Sequence, residues 1–324
     1  MSKSMGNVIA PEEIIRKYGA EIIRLWVAAT DYRDDIRLSQ ETLQRLSDAY
    51  RRMRNTARYL LSNLNGFNPE TDMVADEELF ELDRWALSRL NHLVQKVSGA
   101  YEKYEFHVIY HAVHNFCAVD LSAFYLDILK DRLYTSSKKS IDYRSARSTM
   151  YQIVDALTRM LAPVLTFTAD EIWQRLPGDR EASVHLAGFP QQDSHYQDSQ
   201  LEERYEQLQK VRSEVSKQLE KARADKQLGQ SLEAKILLDV PESYQQLMVE
   251  YLDLLPTYFI VSQVELTTDL PAAVDAENIP GLRLQVLPAD GEKCERCWNY
   301  SISVGQNSEH PTICTRCADA LAAG

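Results

Sequence analysis

From Leu38 to Leu161, apolar residues return every three or four positions through segments with very little glycine or proline, and this pattern constrains the fold most. Leu43, Leu46, Ala49, Met53, Ala57 and Leu60 share one face of a first helix that NLNGFNP ends. Leu82, Trp85, Leu90, Leu93 and Val97 mark a second helix. Ile109, Val113, Phe116, Leu121, Ile128 and Leu129 mark a third, and Ala146, Met150, Ile153 and Leu157 a fourth before Pro163. Such stripes need apolar partners, and a bundle over 38–178 supplies them economically.

The flanking segments read differently. Pro11 suits a first helical position, so PEEIIRKYG forms a short helix closed by Gly19, and AEIIRLWVAAT a second one, within 1–37. Thr168 and Glu171 have the spacing of a capping box that starts a last short helix. Residues 179–199 are polar and aperiodic, which suggests a connector. In 200–290, one helix carries Leu201, Tyr205, Leu208, Val211, Val215, Leu219 and Ala222 on a single seam. Strand-like AKILLDV, YFIVSQVEL and LRLQVLP follow, with a helix from PESYQQLMVEYLDLL. The expected fold is mainly α: a helical bundle, then a small α/β domain and a cysteine-bearing module at 291–324.

A net charge of −12 argues against a basic coat for nucleic acid, yet RRMRNTAR holds four arginines and no acid. The longest nearly apolar run, MLAPVLTFTA, is far short of the roughly 20 residues that span a bilayer, and the N-terminus has no signal-like stretch. A cytoplasmic chain with no membrane contact is expected.

Four of the five cysteines, Cys294, Cys297, Cys314 and Cys317, give C-x2-C-x16-C-x2-C. Each pair aims two thiolates at one ion, a spacing suited to zinc, and four thiolates leave no open position, so the ion would be structural. Two disulfides or a redox pair are the alternatives. Cys117 lies on an apolar seam and is read as core. Arg296 and Trp298 flank Cys297: Trp298 either stacks on unpaired bases or covers the metal site.

Arg51, Arg54 and Arg58 fall within about 60° on one helix face. The stripe either tracks a phosphate backbone or covers the bundle edge with arginine stems. His107, His111 and His114 have helical spacing but lie among aromatics, and they are read as packing or surface residues.

MSKSMGNVIAPEEIIRKYGAEIIRLWVAATDY resembles the segment around the K-M-S-K-S signature of class I aminoacyl-tRNA synthetases. YRRMRNTARYLLSNLNGF, LDRWAL, FYLDILKDRLY and LAPVLTFTADEIW are similar to the anticodon-binding domain of the isoleucyl enzymes. The four-cysteine tail with Trp298 resembles their bacterial C-terminal zinc domain, whereas bacterial valyl enzymes usually end in a coiled coil. The resemblance implies that 38–178 binds the anticodon and 200–290 is a junction domain. It implies that Lys3, steadied by Ser2 and Ser4, stabilises the triphosphate of ATP as pyrophosphate leaves, and that magnesium accompanies ATP in the whole enzyme. Gly6 and Asn7 would permit the loop's turn. The partner is then tRNA(Ile), read near Arg296 and Trp298, and the chain would be the C-terminal part of a monomeric enzyme whose H-I-G-H signature, Rossmann sheet and editing domain would precede Met1. A stand-alone RNA-binding paralogue, or one half of a split synthetase, is the alternative.

Overall fold

The structure, a computed structural model, describes residues 10–36 and 38–323. The chain forms two compact units, one from residues up to Asp127 together with Arg144–Gln197, the other from Ile128–Tyr143 together with Asp198 onward.

In the first unit, α1 (Pro11–Tyr18) places Glu12 and Glu13 in its first turn and Arg16 and Lys17 in its last, matching the helix dipole. Gly19, at φ +89°, ends it before α2 (Ala20–Ala29). Ser39 starts α3 (Gln40–Asn63) by accepting the Thr42 N–H at 3.1 Å. The single turn α4 (Pro69–Asp72) is capped by Asn68. Then come α5 (Glu81–Glu102), α6 (Phe106–Asn115) and a π-helical segment Phe116–Tyr125; α7 (Leu126–Thr135) belongs almost wholly to the second unit, and α8 (Ile141–Leu161), from Arg144 onward, and α9 (Thr166–Trp173) belong to the first.

The stripes read from the sequence are buried: Leu43, Leu46, Met53 and Leu60 on α3, Trp85 and Val97 on α5, Met150 and Ile153 on α8. Trp85 meets Phe124 edge-on at 4.9 Å. Asp83 is fully buried, and it accepts the Tyr125 hydroxyl at 2.7 Å and the Ser145 hydroxyl at 2.5 Å, which satisfies it. Arg147 donates to the Asn63 and Asn65 carbonyls at 2.9 and 2.7 Å, closing the C-terminal end of α3.

Four expectations change. The third helix is not one regular α-helix: it widens over Phe116–Tyr125, where Ser122 donates to the Cys117 carbonyl at 2.7 Å. The capping box is not formed. α9 begins two residues before Thr168, Leu165 holds the cap position without a side-chain bond, and the Thr168 hydroxyl instead meets that of Tyr50 at 2.9 Å. The membrane reading meets one long helical stretch: Phe106–Thr135 is long and apolar enough, by length and composition, to cross a membrane, but most of its apolar part is buried within the protein, as in a core helix. Finally, residues 179–197 form a strap packed on the first unit. Trp173 Nε1 donates to the Glu181 carbonyl at 2.8 Å, Ser183 donates to Asp170 at 2.6 Å, and Val184 is buried.

In the second unit, Asp198 caps α10 (Ser199–Ala224) by accepting the Leu201 N–H at 2.9 Å, and all seven seam residues are buried. Then follow β1 (Ala234–Asp239), α11 (Glu242–Glu250), α12 (Leu255–Phe259), β2 (Gln263–Leu266), β3 (Val274–Asp275) and β4 (Arg283–Pro288). The sheet order is β2-β1-β4-β3, with β1 and β2 parallel and the other pairs antiparallel. The front of YFIVSQVEL is therefore helix and turn, because Ile260 takes a left-handed conformation between α12 and β2. Buried Glu214 of α10 accepts Lys217, the Asn278 amide and the Glu277 N–H at 2.7–2.9 Å, fixing the loop after β3.

Candidate metal centre and nucleic-acid interface

The tail opens with a hairpin of β5 (Glu292–Lys293) and β6 (Tyr300–Ser301), antiparallel to each other. Gly291 precedes it at φ +89°, where an added Cβ would lie 2.3 Å from the Ser301 carbonyl carbon, so only glycine fits. The first cysteine pair lies in the hairpin's turn: the Cys294 N–H donates to the Asn299 carbonyl and the Trp298 N–H to the Cys294 carbonyl, both at 2.9 Å. The second pair starts α13 (Thr315–Ala322), with Cys314 at its N-cap position and Cys317 in its first turn.

The four sulfurs lie within 4.8 Å of one another, with Cys297 Sγ 3.8 Å from Cys314 Sγ. Tetrahedral zinc with Zn–S bonds near 2.3 Å separates its thiolates by about 3.8 Å, whereas a disulfide needs about 2.05 Å. All are free cysteines, and three are buried with Cys297 half-buried. Burial opposes ionisation of Cys294, but the N–H groups of Cys297, Cys314 and Arg296 pull its pKa down to about 6. Burial and the neighbouring sulfurs push Cys317 up. Four crowded thiols that cannot all ionise alone suit a dication, which would supply the missing positive charge. Cys294, Cys297, Cys314 and Cys317 thus fit a closed structural metal site. Cys117 is not among them: it is buried, with its thiol pushed up by burial to about 12.

Trp298 sits beside Cys297 at φ +66°, a conformation rare for an aromatic residue, and is 55% exposed. Lys293 Nζ lies 5.5 Å from its ring. More than half of the Trp298 residue is thus open to a flat partner. Arg296 is partly engaged, since its Nη2 donates to the Thr135 carbonyl at 3.1 Å. Arg316 grips Asp131 with both guanidinium nitrogens, and Ser137 donates to the Ala323 carbonyl at 3.3 Å. The 128–143 hairpin therefore anchors the cysteine module within the second unit. Sequence reading missed this anchor because Asp131 and Arg316 are 185 positions apart.

The remaining expectations resolve unevenly. Arg51 pairs with Asp48 at 3.2 Å, while Arg54 and Arg58 are exposed on α3. His107 faces Asp31 at 3.9 Å and His114 stacks with Tyr110. Among the described residues, no metal-ligand group includes these histidines. Ser2, Lys3, Ser4, Gly6 and Asn7 lie outside the described residues.

Three family models match in order: tRNA synthetases class I (I, L, M and V) over 1–39, the anticodon-binding domain of tRNA ligase over 83–238, and a zinc finger found in FPG and IleRS over 291–320. Isoleucine–tRNA ligase of Syntrophotalea carbinolica is 60% identical over 99% of this chain. Those of Geobacter sulfurreducens and Moorella thermoacetica are 54% and 49% identical over 99% and 98% of it. The chain spans 35% of the length of each of these relatives. Over that third of their length, the chain is similar to isoleucine–tRNA ligases, and its successive segments match a class I synthetase, an anticodon-binding and a zinc-finger family in order.

Proposed function

We propose that this chain is the tRNA-binding, C-terminal portion of an isoleucyl-tRNA synthetase, and that its cysteine tail holds one structural zinc ion and presents Trp298 to an unpaired base of tRNA(Ile). The whole enzyme activates isoleucine with ATP and magnesium in the cytoplasm and esterifies tRNA(Ile) as a monomer. Lys3, with Ser2 and Ser4, belongs to its ATP site. The division read from the sequence, with 38–178 on the anticodon, 200–290 as a junction and 291–324 as the zinc module, is part of the same proposal.

The observation that carries this reading is Trp298, exposed beside a metal-fitted turn in a chain with an anticodon-binding match. The metal orders the loop, so the ring is preorganised and loses little freedom on stacking. Base–aromatic stacking contributes about 1–3 kcal/mol. Arg296 adds positive charge nearby, and Arg51, Arg54 and Arg58 supply phosphate contacts. Trp298→Ala should therefore weaken tRNA(Ile) binding about tenfold or more at fixed salt, with metal content unchanged. Equal affinity for the variant and the parent would remove Trp298 from the interface.

A further inference from the structure

The cysteine tail is short of positive charge for an RNA-binding module. Residues 291–323 carry three basic residues against four acidic ones, and four thiolates around one dication would leave two further negative charges. A stacked base brings its phosphates with it, and these need cations nearby. The segment 128–143, which belongs to the same compact unit, has the opposite balance, with four lysines and arginines against Asp131 and Asp142. Both of those acids are already engaged, Asp131 by Arg316 and Asp142 by the Ser136 hydroxyl at 2.6 Å.

The same segment exposes a second aromatic ring. Tyr134 is 62% exposed, and among the described residues its ring and hydroxyl have no partner. It lies three positions after Asp131 on α7, so it shares the helix face that grips Arg316. Arg296 sets its place relative to Trp298: Arg296 stands two residues before Trp298, and its Nη2 donates to the carbonyl of Thr135, the residue after Tyr134, at 3.1 Å. Leu133 and Thr135, on either side of Tyr134, are buried and hold the backbone there. The turn that follows is tied to the tail as well. The Ser137 hydroxyl donates to the Ala323 carbonyl and accepts the Lys139 N–H, both at 3.3 Å, while the side chains of Lys138 and Lys139 stay exposed.

Two exposed rings, Tyr134 and Trp298, thus stand on one frame whose backbone is fixed by hydrogen bonds, with exposed lysines at its edge. The fixed frame lowers the ordering cost of binding. The pairing of features selects the partner. An acidic protein would engage the lysines and leave the rings in water, whereas single-stranded nucleic acid offers flat bases to the rings and phosphates to the lysines at once.

We propose that Tyr134 is a second base-stacking residue and Lys138 a phosphate contact, so that the end of α7 and the cysteine tail form one site for unpaired RNA; this rests on the tRNA reading above. The test measures binding of a tRNA(Ile) transcript to the full chain over a salt series, for the parent, Tyr134→Ala, Tyr134→Phe, Lys138→Gln and Trp298→Ala. Zinc content and thermal midpoint are read on each protein. Tyr134→Ala should weaken binding about tenfold with salt slope, zinc content and midpoint unchanged, and Tyr134→Phe, which keeps the ring, should bind within about twofold of the parent. Lys138→Gln should lower the slope of log K against log salt by about 0.7, the single-strand value for one phosphate. Tyr134→Ala binding as the parent does, losing zinc along with affinity, or matching the loss of Tyr134→Phe would overturn the stacking role. An unchanged slope in Lys138→Gln would overturn the phosphate contact. A parent that does not bind tRNA(Ile) would overturn both this proposal and the reading beneath it, whereas a loss with Tyr134→Ala and none with Trp298→Ala would overturn only the role given to Trp298.

Discussion

Gly291 and Cys314 show how single residues decide whether the tail has a fold. At Gly291 both the positive φ and the 2.3 Å approach of the Ser301 carbonyl carbon exclude a side chain. Gly291→Ala should therefore cost about 1–3 kcal/mol or more, read as a lower chelator concentration at which the tail loses its metal. Cys314 is one of the four clustered thiols, and its backbone carbonyl accepts the N–H groups of Cys317 and Ala318 at 3.0 Å. Cys314→Ser should lower zinc content from one ion per chain towards zero, and unchanged content would rule out the four-thiolate site. Glu214 is a different case. Burial opposes its ionisation, but Lys217, the Asn278 amide and the Glu277 N–H hold its pKa below the usual carboxylate value. Its folded pKa is depressed, so its stabilising contribution is present above about pH 4.5 and is lost as pH falls through the folded value. Glu214→Gln should flatten the acid limb of the stability curve, measured by urea midpoints between about pH 3 and 6.

At the scale of elements, legibility in the sequence followed the range of the interaction. Helices α3, α5, α8 and α10 were legible because their apolar faces repeat locally, and the cysteine cluster because metal ligands keep fixed short spacings. The π-helical widening left no such trace: Phe116–Tyr125 stays apolar whichever carbonyl each N–H reaches. Thr168 misled because a capping pattern is local, whereas its hydroxyl meets that of Tyr50, 118 positions away, and Leu165 holds the cap position of α9. YFIVSQVEL reads as strand until the left-handed Ile260 divides it. The same logic separates the contributions to the tail. Its secondary structure is one two-residue hairpin and one eight-residue helix, too little to stand without a metal. Chelation should unfold 291–323 with almost no change in far-ultraviolet helical signal, since the long helices lie elsewhere. The Arg316–Asp131 pair, half-exposed, contributes at most about 1 kcal/mol, so Asp131→Asn should leave metal content intact.

At the scale of the whole molecule, a net charge of −12 bears on the tRNA partner proposed above. A basic coat is absent, so long-range attraction cannot supply the affinity, and local contacts must do so. Exposed Arg54 and Arg58 on α3, and Trp298 beside Lys293 in the tail, are the groups suited to that work. Such a mixture of few phosphate contacts and one stacked base has a measurable signature. The salt dependence of tRNA binding should be shallow, because each neutralised phosphate contributes only about 0.9 to the slope of log K against log salt. Arg54→Ala with Arg58→Ala should lower that slope by about two, whereas Trp298→Ala should shift affinity and leave the slope unchanged. Identical slopes in all three proteins would assign the arginines to covering the bundle edge. Chemistry is a separate question. The sheets among the described residues are a four-stranded mixed sheet and a two-stranded hairpin, neither of them a doubly wound parallel sheet that holds a nucleotide at its carboxyl edge. On the proposed function, the isolated chain should bind tRNA(Ile) yet fail to exchange pyrophosphate into ATP when isoleucine is added. Isoleucine-dependent exchange above background, abolished by Lys3→Ala, would show that the chain carries a working activation site.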